Sequence, residues 1–197
     1  VQEDVAGRVV EMIEGAVQQL QLGDPRQLAV DVGPVIDADA RAGIEHHVQQ
    51  MDARGCRTWR LPLPEAAHHG TFVPPTLIEL KAVGELGREV FGPVLHVLRY
   101  RREELASTLA AINGTGYGLT QGVHTRIDET VAQVVAASKA GNIYVNRNVV
   151  GAVVGVQPFG GEGLSGTGPK AGGPLYLLRL LATRPLQAAR LAVAHSG

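Results

Sequence analysis

The chain reads as an α/β protein, a mostly parallel sheet with flanking helices, and three observations lead there. Apolar residues recur at helical spacing over residues 3–20, about 38–54, 102–112 and 128–140. Short apolar and β-branched runs lie between them, at 57–61, 71–80, 94–99, 119–124 and 142–146. Gly, Asn and Pro punctuate the joins. Strands separated by helices imply right-handed crossovers and helices packed against the sheet.

Taken in order, Val5, Val9, Met12, Ile13 and Leu20 make residues 3–20 an amphipathic helix, ended by Gly23-Asp24-Pro25. Asp37 can cap a second helix whose apolar face is Ile44, Val48 and Met51, and Gly55 stops it. Residues 57–61 form a short strand. Residues 71–80 form another, interrupted by Pro74-Pro75 and therefore expected at an edge or a bulge. Residues 94–99 form a third, nearly continuous apolar strand. A helix at 102–112 leads into the turn Asn113-Gly114-Thr115-Gly116, then a strand at 119–124. A helix at 128–140 closes at Gly141, and a strand at 142–146 ends beside a long glycine-rich stretch. A last apolar segment, 175–181, follows Pro174. No internal repeat or low-complexity tract interrupts the pattern.

That stretch, residues 151–174 (GAVVGVQPFGGEGLSGTGPKAGGP), is the most informative part of the chain. Half of it is glycine or proline, yet it carries almost no charge, unlike a solvated linker. Val153, Val154, Val156, Phe159 and Leu164 stand among the glycines. Such a loop can pack on a core and still bring bare backbone N–H groups to a ligand. A ligand-anchoring loop and an unusually long structural connection are equally open on composition alone.

Length and composition bound the function. At 197 residues and 45% hydrophobic, the chain is one large domain or a piece of something larger. A net charge of -1 with mixed signs argues against a nucleic-acid binder. No apolar run is long enough to span a membrane as a helix, and no signal peptide is visible. The single cysteine, Cys56, excludes an internal disulfide framework and fits a reducing, cytoplasmic setting. Val1 runs straight into a helical pattern, which leads us to expect a truncated N-terminus. Adjacent His46-His47 cannot share a helix face, and His68-His69 lacks partners at ligand spacing, so no metal site is expected. Arg54 and Arg57 flank Cys56 and make surface reactivity conceivable, although a structural cysteine is the stronger reading. Glu89 beside Phe91 offers a carboxylate for hydroxyls and a ring for an apolar ligand face; taken alone, a solvated Glu89 and a core Phe91 are favoured.

Several ordered motifs carry a resemblance. Glu89-Val90-Phe91-Gly92-Pro93-Val94 resembles the Glu-x-Phe-Gly-Pro signature of aldehyde dehydrogenases. Gly23-Asp24-Pro25, the run DVGPVI at 31–36, NGTGYGLT at 113–120, GNIYVN at 141–146 and PFGG at 158–161 follow the same family in the same order. The longer run VGVQPFGGEGLSGTGPKAGGP is similar to the pyrroline-5-carboxylate dehydrogenase module of the bifunctional proline utilization A flavoproteins. The resemblance covers about residues 1–181. It implies that residues 1–183 are the C-terminal part of an aldehyde dehydrogenase catalytic domain, including an anchor loop at 151–174, with 184–197 as a tail.

The resemblance also implies roles. Glu89 would hydrogen-bond the nicotinamide ribose of NAD, and Phe91 would pack near the nicotinamide. Gly151 and Ala152 would hold the carboxylate of glutamate semialdehyde, the open form of pyrroline-5-carboxylate, through backbone N–H groups. Phe159 would wall the aliphatic part of that substrate, while a plain core aromatic remains an alternative for it. Asn146 would support the loop. The family's reaction needs a cysteine nucleophile, a general base and an oxyanion donor. Cys56 lacks the surroundings of that nucleophile, so no catalytic residue is expected in this chain. By resemblance the nucleophile and the NAD-binding domain would lie upstream, and an attached proline dehydrogenase domain would carry FAD. A homo-oligomer is expected. Two other readings stay open: a non-catalytic aldehyde-dehydrogenase-like assembly module, and a dehydrogenase of another aldehyde.

Overall fold

Strand alternation sorts the first half of the chain into three layers. The computed structural model describes residues 1–150, 159–166, 168 and 176–177. The chain divides into two compact units, Val1–Glu104 and Leu105–Gly197. In the first, helices α1 (Glu3–Val17) and α2 (Ala38–Ala53) accompany strands β1 (Arg57–Arg60), β2 (Thr76–Leu80) and β3 (Val94–Leu98). The strand order is β1-β2-β3, with β1 antiparallel and β3 parallel to β2. Successive side chains point to opposite faces. Ile78 and Leu80 therefore meet Val48 and Met51 of α2, while Leu77 and Val97 meet Val10 of α1. Val94 and Leu98 complete the α2 side, and Trp59 with Ile13 completes the α1 side.

The helices form where expected, with one face reassigned. The Asp37 side chain accepts from the Ala40 amide at 2.7 Å, the capping bond that opens α2. Ile44, Val48 and Met51 are all buried, as the periodicity required. In α1 the buried stripe is Ala6 and Val10, continued by Ile13, whereas Val5 and Met12 are exposed. The helix carries apolar residues on more than one side, and only one side can face a flat sheet. α1 also ends at Val17, where Gln19 and Leu20 switch to i→i−3 bonds.

Pro74-Pro75 does not mark an edge strand. Both prolines precede β2, which is the central strand, and Thr76 is the first residue to need a ladder N–H. A parallel return from β2 to β3 passes through the 3₁₀ turn Val83–Leu86 instead of an α-helix. Cys56 is buried in the core with Val48, Met51 and Ile78, which removes the surface thiol from consideration. Arg57 is spent on Glu14 and Glu79.

The second unit is a βαβ arrangement. Helix α3 (Leu105–Gly114) precedes β4 (Tyr117–Gly118) and β5 (Thr120–Val123); helix α4 (Asp128–Ala137) then leads to β6 (Asn142–Val145). β5 and β6 pair in parallel across α4, and β4 pairs antiparallel with β7 (Glu162–Gly163). Residues 102–104, read as the start of a helix, form a separate 3₁₀ turn before α3, and the helix runs on through Asn113. The β4–β7 pair was not foreseen, because two-residue strands leave no periodicity to read. The 184–197 tail lies outside the described residues.

Candidate functional site

Two backbone devices present the residues singled out from the sequence, one in each unit. The first is the loop at 89–93. Gly87 turns the chain with φ +62°, a conformation that costs a Cβ-bearing residue energy. Beyond it, Gly92 lies so close to the buried Ile44 of α2 that a Cβ there would collide with Ile44 Cδ1. Pro93 follows, needing no N–H, and its carbonyl accepts from Thr76 N at 2.9 Å, the first rung beside β3. Phe91, just before Gly92, is 79% exposed and does not take the core position favoured for it from its residue type alone. Glu89 is exposed and, among the described residues, its carboxylate makes no hydrogen bond or ion pair. A free carboxylate accepts hydroxyl donors, and an exposed ring offers a stacking face. An apolar cavity of about 270 Å³ lies behind Gly92 and Pro93, bordered by Ile13, Trp59 and Leu77 with no charged side chain, so it offers packing and no chemistry.

The second device brackets residues 151–158 from both ends of β6. At its C-terminal end, Asn146 adopts a left-handed conformation with φ +54°. Asn is the side-chain-bearing residue best suited to that region. Its Oδ1 accepts from Thr125 N at 2.9 Å, and its Nδ2 donates to Thr125 O at 2.9 Å. The guanidinium of Arg147 lies 4.5 Å from the centroid of the buried Tyr144 ring. At the N-terminal end of β6, the buried Asn142 accepts from Gly160 N at 3.3 Å. Gly141 faces the Gly160 carbonyl so closely that no Cβ fits. Gly118 N donates to Ser165 Oγ at 3.1 Å, and Gly168 N donates to Gly161 O at 2.6 Å.

Phe159 forms an isolated bridge and is half-buried. Gly151 and Ala152 lie outside the described residues. Glu89 and Phe91 thus share one loop of the first unit, while Phe159 belongs to the second. Sequence reasoning missed Asn142, Gly141 and Ser165 as the seat of the glycine-rich run. It also missed His96, although a histidine centred in the run VLHVL was a visible anomaly. No group of three or more metal-ligating side chains occurs among the described residues. No helix among them is long and apolar enough to cross a membrane.

Comparison with known proteins gives this geometry a family. The aldehyde dehydrogenase family model matches residues 1–184. The chain is 58% identical over 200 residues to the bifunctional protein PutA of Klebsiella aerogenes, covering 95% of this chain and 15% of that protein. It is 35% identical over 178 residues to a 1-pyrroline-5-carboxylate dehydrogenase of Geobacillus kaustophilus, covering 89% of this chain and 34% of that protein. A crystal structure of the Bradyrhizobium japonicum proline utilization A mutant D779W superposes with a TM-score of 0.84 at 55% identity, covering 91% of this chain and 18% of that one. The chain therefore spans about a seventh of the length of the PutA relatives it matches. The shared motifs, the fold and the matched span agree: the chain belongs to the aldehyde dehydrogenase family and is similar to PutA and pyrroline-5-carboxylate dehydrogenases within it.

Proposed function

We propose that this chain is part of the catalytic domain of an NAD-dependent dehydrogenase that oxidises L-glutamate γ-semialdehyde, the open form of pyrroline-5-carboxylate, to glutamate in proline catabolism. The observation that carries the reading is the 89–93 loop, rigidly held at Gly92 and Pro93, with Glu89 free and Phe91 exposed. These two residues suit a nicotinamide riboside: the carboxylate for its vicinal hydroxyls, the ring for its apolar face. When bound, NAD would supply the hydride acceptor for aldehyde oxidation, and Glu89 and Phe91 would hold it. The chain's own residues bind and orient. Gly151 and Ala152 would offer backbone N–H groups to the substrate carboxylate, and Phe159 would wall its methylenes. The identity to PutA and pyrroline-5-carboxylate dehydrogenases supports this substrate class over other aldehydes.

Cys56, the one cysteine, is buried in the core of the first unit, which supports a reading in which it is not the nucleophile. The purified chain is expected to form no NADH from pyrroline-5-carboxylate. NADH formation that Gly151→Pro abolishes would overturn this, because proline removes the proposed N–H donor. In the full-length dehydrogenase, Glu89→Ala is expected to weaken NAD binding and leave glutamate binding unchanged. There, Phe159→Ala should weaken glutamate more than NAD; an equal loss of both, read by calorimetry, would make Phe159 a core residue only.

A further inference from the structure

Two imidazoles join α2 to β3. His47 projects from the buried face of α2, beside Ile44 and Met51, and is 4% exposed. His96 stands in the middle of β3, on the face that also carries Val94 and Leu98, and is in register with Ile78 of β2. Their Nε2 atoms are 2.8 Å apart, with the rings edge to face at 76°. At that distance one nitrogen must carry a hydrogen and the other must offer a lone pair. The bond therefore survives while at least one ring is neutral and fails when both are charged.

The surroundings favour neutrality. Arg54 at the end of α2 and Arg88 in the turn before β3 both bring positive charge towards His47. From the sheet, the neighbours of His96 on its own face are apolar. The acids nearby are engaged elsewhere: Glu45 with Arg60, Glu79 with Arg57 and Arg99 on the other sheet face, and Glu85 with the Lys81 amide. His46 turns outward to Gln50. Burial, then the charges of Arg88 and Arg54, hold His47 below the usual imidazole range, and burial followed by His47 pushes His96 down to about 4.

The same stripe of α2 backs the loop at 89–93. Ile44, one turn before His47, is the residue on which Gly92 rests. We propose that the His47–His96 hydrogen bond is an acid-released latch, which clamps α2 to β3, holds the 89–93 loop in place, and opens when both rings are protonated. Its bearing on cofactor binding rests on the proposed roles of Glu89 and Phe91; the latch itself does not.

The test is an NMR titration of the full 197-residue chain from pH 8 to about pH 3, past the lowered value of His96, following the imidazole nitrogens, the Ile44 methyl groups and the Phe91 ring. Both rings should take up protons below the ordinary imidazole value and in coupled steps, with the Ile44 and Phe91 signals moving at the second. His96→Gln keeps an amide where Nε2 stood, able to bond His47 but unable to titrate, and His47→Gln does the same from the helix. In either variant the Ile44 and Phe91 signals should hold still across the pH range in which they move in wild type. Independent titration of the two rings near 6.5, or the same movement in wild type and both Gln variants, overturns the latch. In the full-length dehydrogenase, NAD affinity should fall between pH 5 and 4, where the second ring begins to charge, more steeply in wild type than in the Gln variants. A latch that opens in the NMR titration without that difference stands, and the assignment of Glu89 and Phe91 to NAD fails.

Discussion

Asn146 shows how much one side chain can decide. It ends β6, takes a backbone conformation that most residues avoid, and closes both of its amide atoms on Thr125. Asn146→Ala loses both hydrogen bonds and keeps the conformational cost, so it should destabilise the second unit by about 2–4 kcal/mol. Asn146→Gly loses the bonds but relieves the backbone, so its loss should be about 1–2 kcal/mol smaller. Urea unfolding of the two variants separates these terms. At this scale the sequence was legible where a local pattern is complete, as in the Asp37 cap and the buried Ile44, Val48 and Met51. It was silent where the partner is remote in the chain. Asn142 and Gly160, or His47 and His96, meet only after the strands have paired, and no local pattern records that meeting. Cys56 was read as structural in preference to reactive, and it is: the sulfur turns inward while the flanking arginines take other partners.

The elements were easier to read, because each repeats its message. α2 announces itself through a cap, a three-residue apolar stripe and a terminating glycine, and all three proved real. α1 was read partly on the wrong face: Ile13 packs as expected, but Val5 and Met12, as apolar as the residues that the sheet buries, are exposed. β2 was placed at an edge because proline was taken as part of the strand, when it stands just outside. The packing of α2 on the 89–93 loop makes a prediction of its own. Gly92→Ala should drive into Ile44 and cost about 1–3 kcal/mol, as overpacked sites do. Ile44→Val removes the colliding methyl group, so the double variant should recover part of that loss instead of adding to it. A double-mutant cycle in thermal or urea unfolding checks the coupling, and strict additivity would mean the contact is absent.

For the molecule as a whole, stability against acid should fall in two stages. His47 and His96 are held neutral by burial in the folded state but are free to charge in the unfolded chain. The unfolded state therefore binds more protons below pH 6.5, and stability declines from there towards about 4, the depressed value of His96. Glu79 has its carboxyl held below the usual range by Arg99 and then Arg57, so its contribution is full above pH 4.5 and is lost as pH falls through its lowered value. The paired substitution His47→Leu/His96→Leu should flatten the first stage, and Arg99→Leu should shrink only the second, both read as urea midpoints across a pH series. The glycine-rich run has a different whole-molecule consequence. At Gly141 and Gly160 two backbones touch with no side chain between them, and Gly163 meets Gly116 in the same way. Most protein contacts can be retuned by exchanging one side chain for another. A seam made only of main chain offers natural variation nothing to exchange, so substitutions should be tolerated beside these glycines and not at them.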